Sequence, residues 1–264
     1  MKKNILFALS VICFIILFSA CNSYNISPGD RNGITATENI NQIVKDTPVL
    51  FGTKSSKVLV QGYTYTKLIE KADIIAKVKI VEWLCESTES DQTFFKAEIL
   101  DVLKGNVKNN EFIKIRQEGS SSATIQDFPF FKNNDKLILF LKQDTDHYWI
   151  LVTHTTVLYV KEAKSGNKEY AFKMFGSFSE LKDIEADKNN DKIKSDINDI
   201  KKELKETLLN KEFNEPKIDS YLKRFGKSQV FEVEKLLLHI KEKIKEKRMY
   251  QILCMGWILP QKMQ

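Results

Sequence analysis

Between residues 72 and 174 the chain repeatedly alternates apolar and polar side chains, and this alternation limits it to a sheet. Ala76, Val78 and Ile80 alternate with Lys77, Lys79 and Val81, and Phe95, Ala97 and Ile99 alternate with Lys96, Glu98 and Leu100. A period of two is the mark of a half-buried strand. Strands are predicted over 72–81, 93–105, 111–116, 135–142, 147–152 and 155–161. The run Leu137-Ile-Leu-Phe-Leu141 does not alternate, which predicts a strand covered on both faces. Lys104-Gly105-Asn106 reads as a turn. Short strands with no helical pattern between them point to an antiparallel barrel or sandwich rather than a parallel sheet.

The N-terminus is of another kind. Lys2 and Lys3 precede fourteen residues, 5–18, in which only Ser10 is polar. That length suits an export signal rather than a span, which needs about 20 apolar residues. The run ends in Leu17-Phe-Ser-Ala-Cys21, which resembles the lipobox of bacterial lipoproteins, with Phe18 where Leu, Val or Ile is usual. The resemblance implies cleavage between Ala20 and Cys21 and a diacylglycerol on Cys21. Two acyl chains would hold a soluble domain at the outer face of the cell membrane, where one chain would not. The formal charge of +6 then falls by two as Lys2 and Lys3 leave, to a mild excess of +4. With no single basic block, no nucleic-acid partner is expected. Cys85 and Cys254 are too few for a disulfide framework.

Residues 22–66 read as tether and lead-in. Asn22 to Gly33 is rich in Asn, Ser, Gly and Pro, a linker composition. Val58 to Thr66 is either a leading strand or a loop over the barrel, and Thr66 to Asp73 looks like a helical turn into the first clear strand.

The order Ala-Asp-Ile-Ile-Ala (72–76), Phe-Lys-Ala-Glu-Ile-Leu-Asp-Val-Leu-Lys-Gly (95–105), Ile-Lys-Ile-Arg (113–116) and Asp-Lys-Leu-Ile-Leu-Phe-Leu (135–141) resembles secreted domains of Gram-positive bacteria. More distantly it resembles netrin-type domains built on an OB-like barrel. The resemblance covers about 68–175 and implies the barrel. The netrin-type cysteines are missing, so protease inhibition through a cysteine-bridged N-terminus does not carry over.

No catalytic constellation stands out. Gly119-Ser-Ser-Ser122 lacks the Gly-x-Ser-x-Gly elbow and reads as a hairpin loop. His147 and His154, near Asp144 and Asp146, lack metal-site spacing and read as strand or turn residues. Phe128, Phe130 and Phe131 are expected to pack under a loop. Since OB-like barrels bind ligands on one sheet face, Phe94, Lys96, Lys114 and Arg116 are candidates to line such a face; plain solvent exposure accounts for their charges equally well.

After Ser179 the period becomes helical. Ile193, Ile197, Ile200, Leu204 and Leu208 form one stripe. A second short helix runs from Lys217 to Phe225, and a third is predicted from about Gln229 to Arg248 with Ser228 as N-cap. Asp187-Lys-Asn-Asn-Asp191 fails as a calcium loop, because its sixth and twelfth positions are Lys192 and Asn198. The lysines from Lys241 to Lys247 are interrupted by Glu242 and Glu246, so they read as a solvated face with lipid or wall polymer as the alternative. Tyr250 to Pro260 is apolar but too short to span; it packs back, forms a partner site, or reflects an altered reading frame.

The chain is therefore expected to be α+β: an OB-like antiparallel barrel or bent sheet over 67–176, then an α-helical segment over 177–264. The expected function is non-catalytic binding at the cell surface, without cofactor or metal, toward a protein or wall polymer. The alternative is an enzyme, or an inhibitor, acting on wall or secreted substrates.

Overall fold

A computed structural model describes residues 54–56, 63–87, 89–125, 128–152, 155–164, 168–209 and 215–256. Ala20, Cys21, most of the tether and His154 lie outside them.

The chain begins with β1 (Lys54–Ser56), which pairs in parallel with β5 (Ala123–Ile125). A short helix follows, α1 (Tyr65–Lys71). Thr64 caps it, its Oγ1 accepting from the Lys67 amide at 3.3 Å. Glu180 satisfies two more of the amides that open the helix, accepting from Tyr65 N at 2.7 Å and Thr66 N at 3.2 Å.

Five strands then close a barrel: β2 (Ile74–Ser87), β3 (Gln92–Lys104), β4 (Phe112–Glu118), β6 (Lys136–Gln143) and β7 (Tyr148–Ile150). Their order around the barrel is β6-β2-β3-β4-β7, with β7 returning to β6. All neighbours are antiparallel except β4 and β7. The expected antiparallel barrel is thus a mixed one, because the β6–β7 hairpin carries β7 across to the open edge of β4. Four register shifts along β2 bend that long strand around the barrel. Gly105 turns β3 toward β4 at φ +108°, and a Cβ there would stand 2.7 Å from the Asp73 carbonyl oxygen.

Alternate residues of these strands fill the barrel, among them Val78, Ile80, Phe95, Ala97, Ile99, Ile113, Ile115, Leu137, Leu139 and Leu141. Phe128, Phe130 and Phe131 are buried, as expected, and plug one end. Gln117, fully buried on β4, holds that plug: its Nε2 donates to Pro129 O at 2.9 Å and its Oε1 accepts from Phe131 N at 3.1 Å.

Beyond β6 the sheet continues through β8 (Leu158–Glu162), β9 (Glu169–Lys173) and β10 (Gln229–Glu232). Here it is covered on both sides. One side meets α2 (Asp191–Leu209) and α3 (Glu215–Gly226), through Ile200, Leu204, Leu208, Ile218, Leu222 and Phe225. The other meets α1 and α4 (Val233–Gly256), through Leu68, Ile69, Leu236, Ile240 and Ile244. The apolar run of β6 shows why it does not alternate: Leu137, Leu139 and Leu141 face the barrel, while Ile138 and Phe140 face α1 and α4.

The third predicted helix starts four residues late. Gln229–Glu232 pairs with β9, Val230 facing α2 and α3 and Phe231 facing α4's side. Ser228 caps no helix start; its Oγ reaches back to Arg224 O at 3.4 Å. The Asp187–Asp191 segment turns inward on the backbone: Asn190 Oδ1 accepts from Lys192 N and Ile193 N and caps α2.

Candidate functional site

On its outward side β3 meets α4 near Asp101 and Leu103, and Trp149 of β7 packs at the edge of the core beneath that helix. The stretches 94–98 and 112–116 carry no helix-facing apolar row. Strand parity puts Phe95, Ala97, Ile113 and Ile115 inside, so Phe94, Lys96, Phe112, Lys114 and Arg116 point out. Register then sets Phe94 opposite Arg116 and Lys96 opposite Lys114, with Trp149 of β7 level with Arg116. Cations therefore meet rings of neighbouring strands. Lys96 Nζ lies 4.6 Å from the Phe112 ring centre, Lys114 Nζ 4.6 Å from Phe94, and the Arg116 guanidinium 5.9 Å from Trp149. Each such pair contributes about 0.5–1 kcal/mol at an exposed site. The four residues expected to share a face do share it. Phe112 and Trp149 complete it, and only their parity in the sequence marked them.

The β6–β7 turn borders this face. His147 Nδ1 is 2.8 Å from Asp146 Oδ1, its Nε2 is 3.7 Å from Asp144 Oδ2, and its ring meets Phe94 edge-on at 5.3 Å. Lys114 donates to Asp146 Oδ2 at 2.9 Å, and Arg116 donates to Glu118 at 2.9 Å. Hydrogen bonds from His147 and then Lys114 hold the Asp146 carboxyl at about 2. His147 Nε2 and Arg116 Nε are shielded from solvent without a hydrogen-bond partner among the described residues. Asp144, Asp146 and His147 thus come together at the β6–β7 turn, with the two carboxylates in solvent and the imidazole 12% exposed beneath them. The serines of the predicted hairpin loop belong elsewhere: Ser120 Oγ donates to Asp91 at 2.8 Å, and Ser121 donates to Glu86. Among the described residues, Ser120 and Ser121 thus meet carboxylates rather than a histidine.

A second feature is a cleft of about 660 Å³ where α1 ends and β2 begins, lined by Lys71, Asp73, Lys104, Asn106, Lys142 and Tyr148 among others. Lys104 closes the end of α1, its ammonium donating to the carbonyls of Ile69 (2.7 Å), Glu70 (3.1 Å) and Ala72 (2.5 Å). Burial lowers the Lys104 pKa, and the nearby Lys247 and Lys142 charges lower it further against the pull of Asp73. Burial opposes the charge of Asp73, but hydrogen bonds from Lys142 (2.7 Å) and the Gln143 amide (3.0 Å) outweigh it and keep its pKa below the usual carboxylate value.

Among the described residues, no three His, Cys, Asp or Glu side chains are arranged to hold a metal ion, and no helix is long and apolar enough to cross a membrane. No protein-family model matches the chain, and no curated protein matches it either.

Proposed function

We propose that the chain is a lipoprotein held at the outer face of the cell membrane through Cys21, and that its OB-like barrel binds an extracellular ligand on the β3–β4–β7 face without catalysis. The observation that carries this reading is the bare face itself. The same sheet is covered by helices on both sides further along, yet here three cation–ring pairs stand at its surface. Rings flanked by ammonium and guanidinium groups suit a polymer that alternates sugar rings with anionic groups. An anionic group of such a polymer would replace Asp146 on Lys114 or Glu118 on Arg116. A wall polymer therefore fits better than a small neutral ligand.

Cosedimentation of the full chain with purified wall polymer tests the site. Phe94→Ala combined with Phe112→Ala is expected to cut retention at least tenfold, with little change in the unfolding midpoint. Unchanged retention would place the ligand elsewhere. For the anchor, Cys21→Ser is expected to abolish incorporation of labelled palmitate. An unaltered label would place the acyl chain on another residue. Membrane retention of a wild type that takes up no label would mean that residues 5–18 hold the chain by themselves.

The alternative of an enzyme draws on the grouping of Asp144, Asp146 and His147 at the edge of the face. Turnover of a wall substrate that His147→Ala removes while binding persists would establish it.

A further inference from the structure

The two ends of the barrel are finished differently. Phe128, Phe130 and Phe131 plug one of them. At the other, β2 and β7 begin and β3 and β6 finish, and the cleft of about 660 Å³ lies among these four strand ends and the last turn of α1. Barrel mouths are common ligand sites, and this volume falls within the range of about 300–1,000 Å³ that small-ligand pockets occupy. Most of the charge at the mouth is already engaged. Lys104 is held by the carbonyls that end α1, Lys142 by Asp73, and Glu70 by Lys247. Asn106, Gln143 and Tyr148 also line the cleft, and their carboxamides and hydroxyl make no hydrogen bond to another described residue. Tyr148 packs its ring against the barrel core. Burial, and then the charges of Glu111 and Asp73, raises its pKa, so the hydroxyl keeps a proton to donate.

From this arrangement we infer that the barrel mouth is a second binding site, for a neutral saccharide. Each carboxamide offers a donor and an acceptor side by side, and the phenol offers both on one atom. Adjacent sugar hydroxyls, which donate and accept in turn, match that set. An anion would find Lys71 as the one cation of the lining without a partner among the described residues, and it stands in solvent. An apolar ligand would find only Ala72 and Ile74 beside the Tyr148 ring. β7 divides this site from the bare face, because Tyr148 looks into the mouth while His147 and Trp149 meet Phe94 and Arg116 on the other side. The mouth therefore binds whether or not the bare face holds a wall polymer.

The test is equilibrium dialysis of the full chain, in zwitterionic micelles, against neutral trisaccharides of glucose, galactose and N-acetylglucosamine. At least one is expected to bind. Asn106→Ala with Gln143→Ala removes two exposed side chains and should weaken that binding about tenfold or more, with the urea midpoint unmoved. Tyr148→Phe, which keeps the ring, should weaken it several-fold, and Phe94→Ala with Phe112→Ala should leave it unchanged. Failure of all three sugars to bind would overturn the inference. So would binding that survives the Asn106 and Gln143 changes but is lost with Phe94 and Phe112, which would move the sugar to the bare face. Inorganic phosphate that displaces the sugar would equally overturn it, by showing that the mouth takes anions.

Discussion

β6 and β4 belong to one closed barrel and line the same interior, yet their outward sides meet opposite fates. On β6, Ile138 and Phe140 are fully buried under α1 and α4. On β4, Phe112 stands half in solvent beneath Lys96, and Lys114 and Arg116 extend over rings of neighbouring strands. The difference is written in the two strands: one is apolar at every position from Leu137 to Leu141, and the other alternates. A face that helices must cover cannot be given to a ligand, so the alternating strands mark where binding remains possible.

The sharpest way to break this comparison is to truncate a ring on each face. Phe140 packs edge-on against Tyr65 and Phe178 at 6.4 Å from each. Phe140→Ala should cost about 3–5 kcal/mol in urea unfolding. Phe112→Ala should stay within about 0.5 kcal/mol, as an exposed substitution does. Similar costs would mean that the β3–β4–β7 face is structural.

Lys173 contrasts with the cations of the bare face. At the end of β9 it is 2% exposed, its ammonium donating to the carbonyls of Thr155 and Phe175 and lying 4.3 Å from the Phe178 ring. Burial pushes its pKa down to about 8 from 10.5. Below pH 8 the folded chain carries a buried charge that the unfolded chain keeps in water. Between about pH 8 and 10.5 the unfolded state holds more protons, so stability rises with pH. At about 1.4 kcal/mol per pKa unit the gain is on the order of 3 kcal/mol. Burial raises the pKa of Tyr65, Tyr170 and Tyr221, which reverses the trend above about pH 10. Urea midpoints from pH 7 to 10 should climb for the wild type and stay nearly level for Lys173→Met. A level wild type would show that the ammonium is solvated.

Much of the barrel was legible because β2, β3 and β4 alternate and β6 conspicuously does not. β9 escaped notice: its centre, Tyr170-Ala-Phe172, is buried on both faces, and five residues offer no period to read. β10 was hidden in a helix pattern, since Val230, Val233, Leu237, Ile240 and Ile244 keep helical spacing although the chain changes from strand to helix at Val233. Four residues of the face were legible from parity alone. The stacking of Arg116 on Trp149 was not, because it depends on the parallel closure of β4 with β7. Nor does a lysine at a strand end reveal that the carbonyls of Thr155 and Phe175 will enclose it, as happens to Lys173.

The turn after β3 allows a smaller test of the covered side. Gly105 combines φ +108° with backbone of Asp73 and Ile74 at the place a Cβ would occupy. Gly105→Ala should therefore cost about 1–3 kcal/mol and shift the lead-in between α1 and β2. No change in the urea midpoint would mean that the turn relaxes freely and that α1 is not held by it.

The smallest effect is expected on the bare face, at Asp146. Its carboxylate accepts from His147 and Lys114, and its pKa of about 2 lies below the ordinary 3.8. A depressed carboxyl contributes stability that is fully present above its unfolded value and is lost as pH falls through the folded one, so the window lies between about pH 4 and 2. The side chain is 65% exposed, where solvent screening leaves such a pair worth little. Asp146→Asn should move the urea midpoint at pH 7 by no more than about 0.5 kcal/mol while freeing Lys114 for an anionic ligand. Retention on wall polymer should then rise or hold. A variant that lost both stability and retention would show that Asp146 builds the face, and that Lys114 needs its carboxylate to stay in place over Phe94.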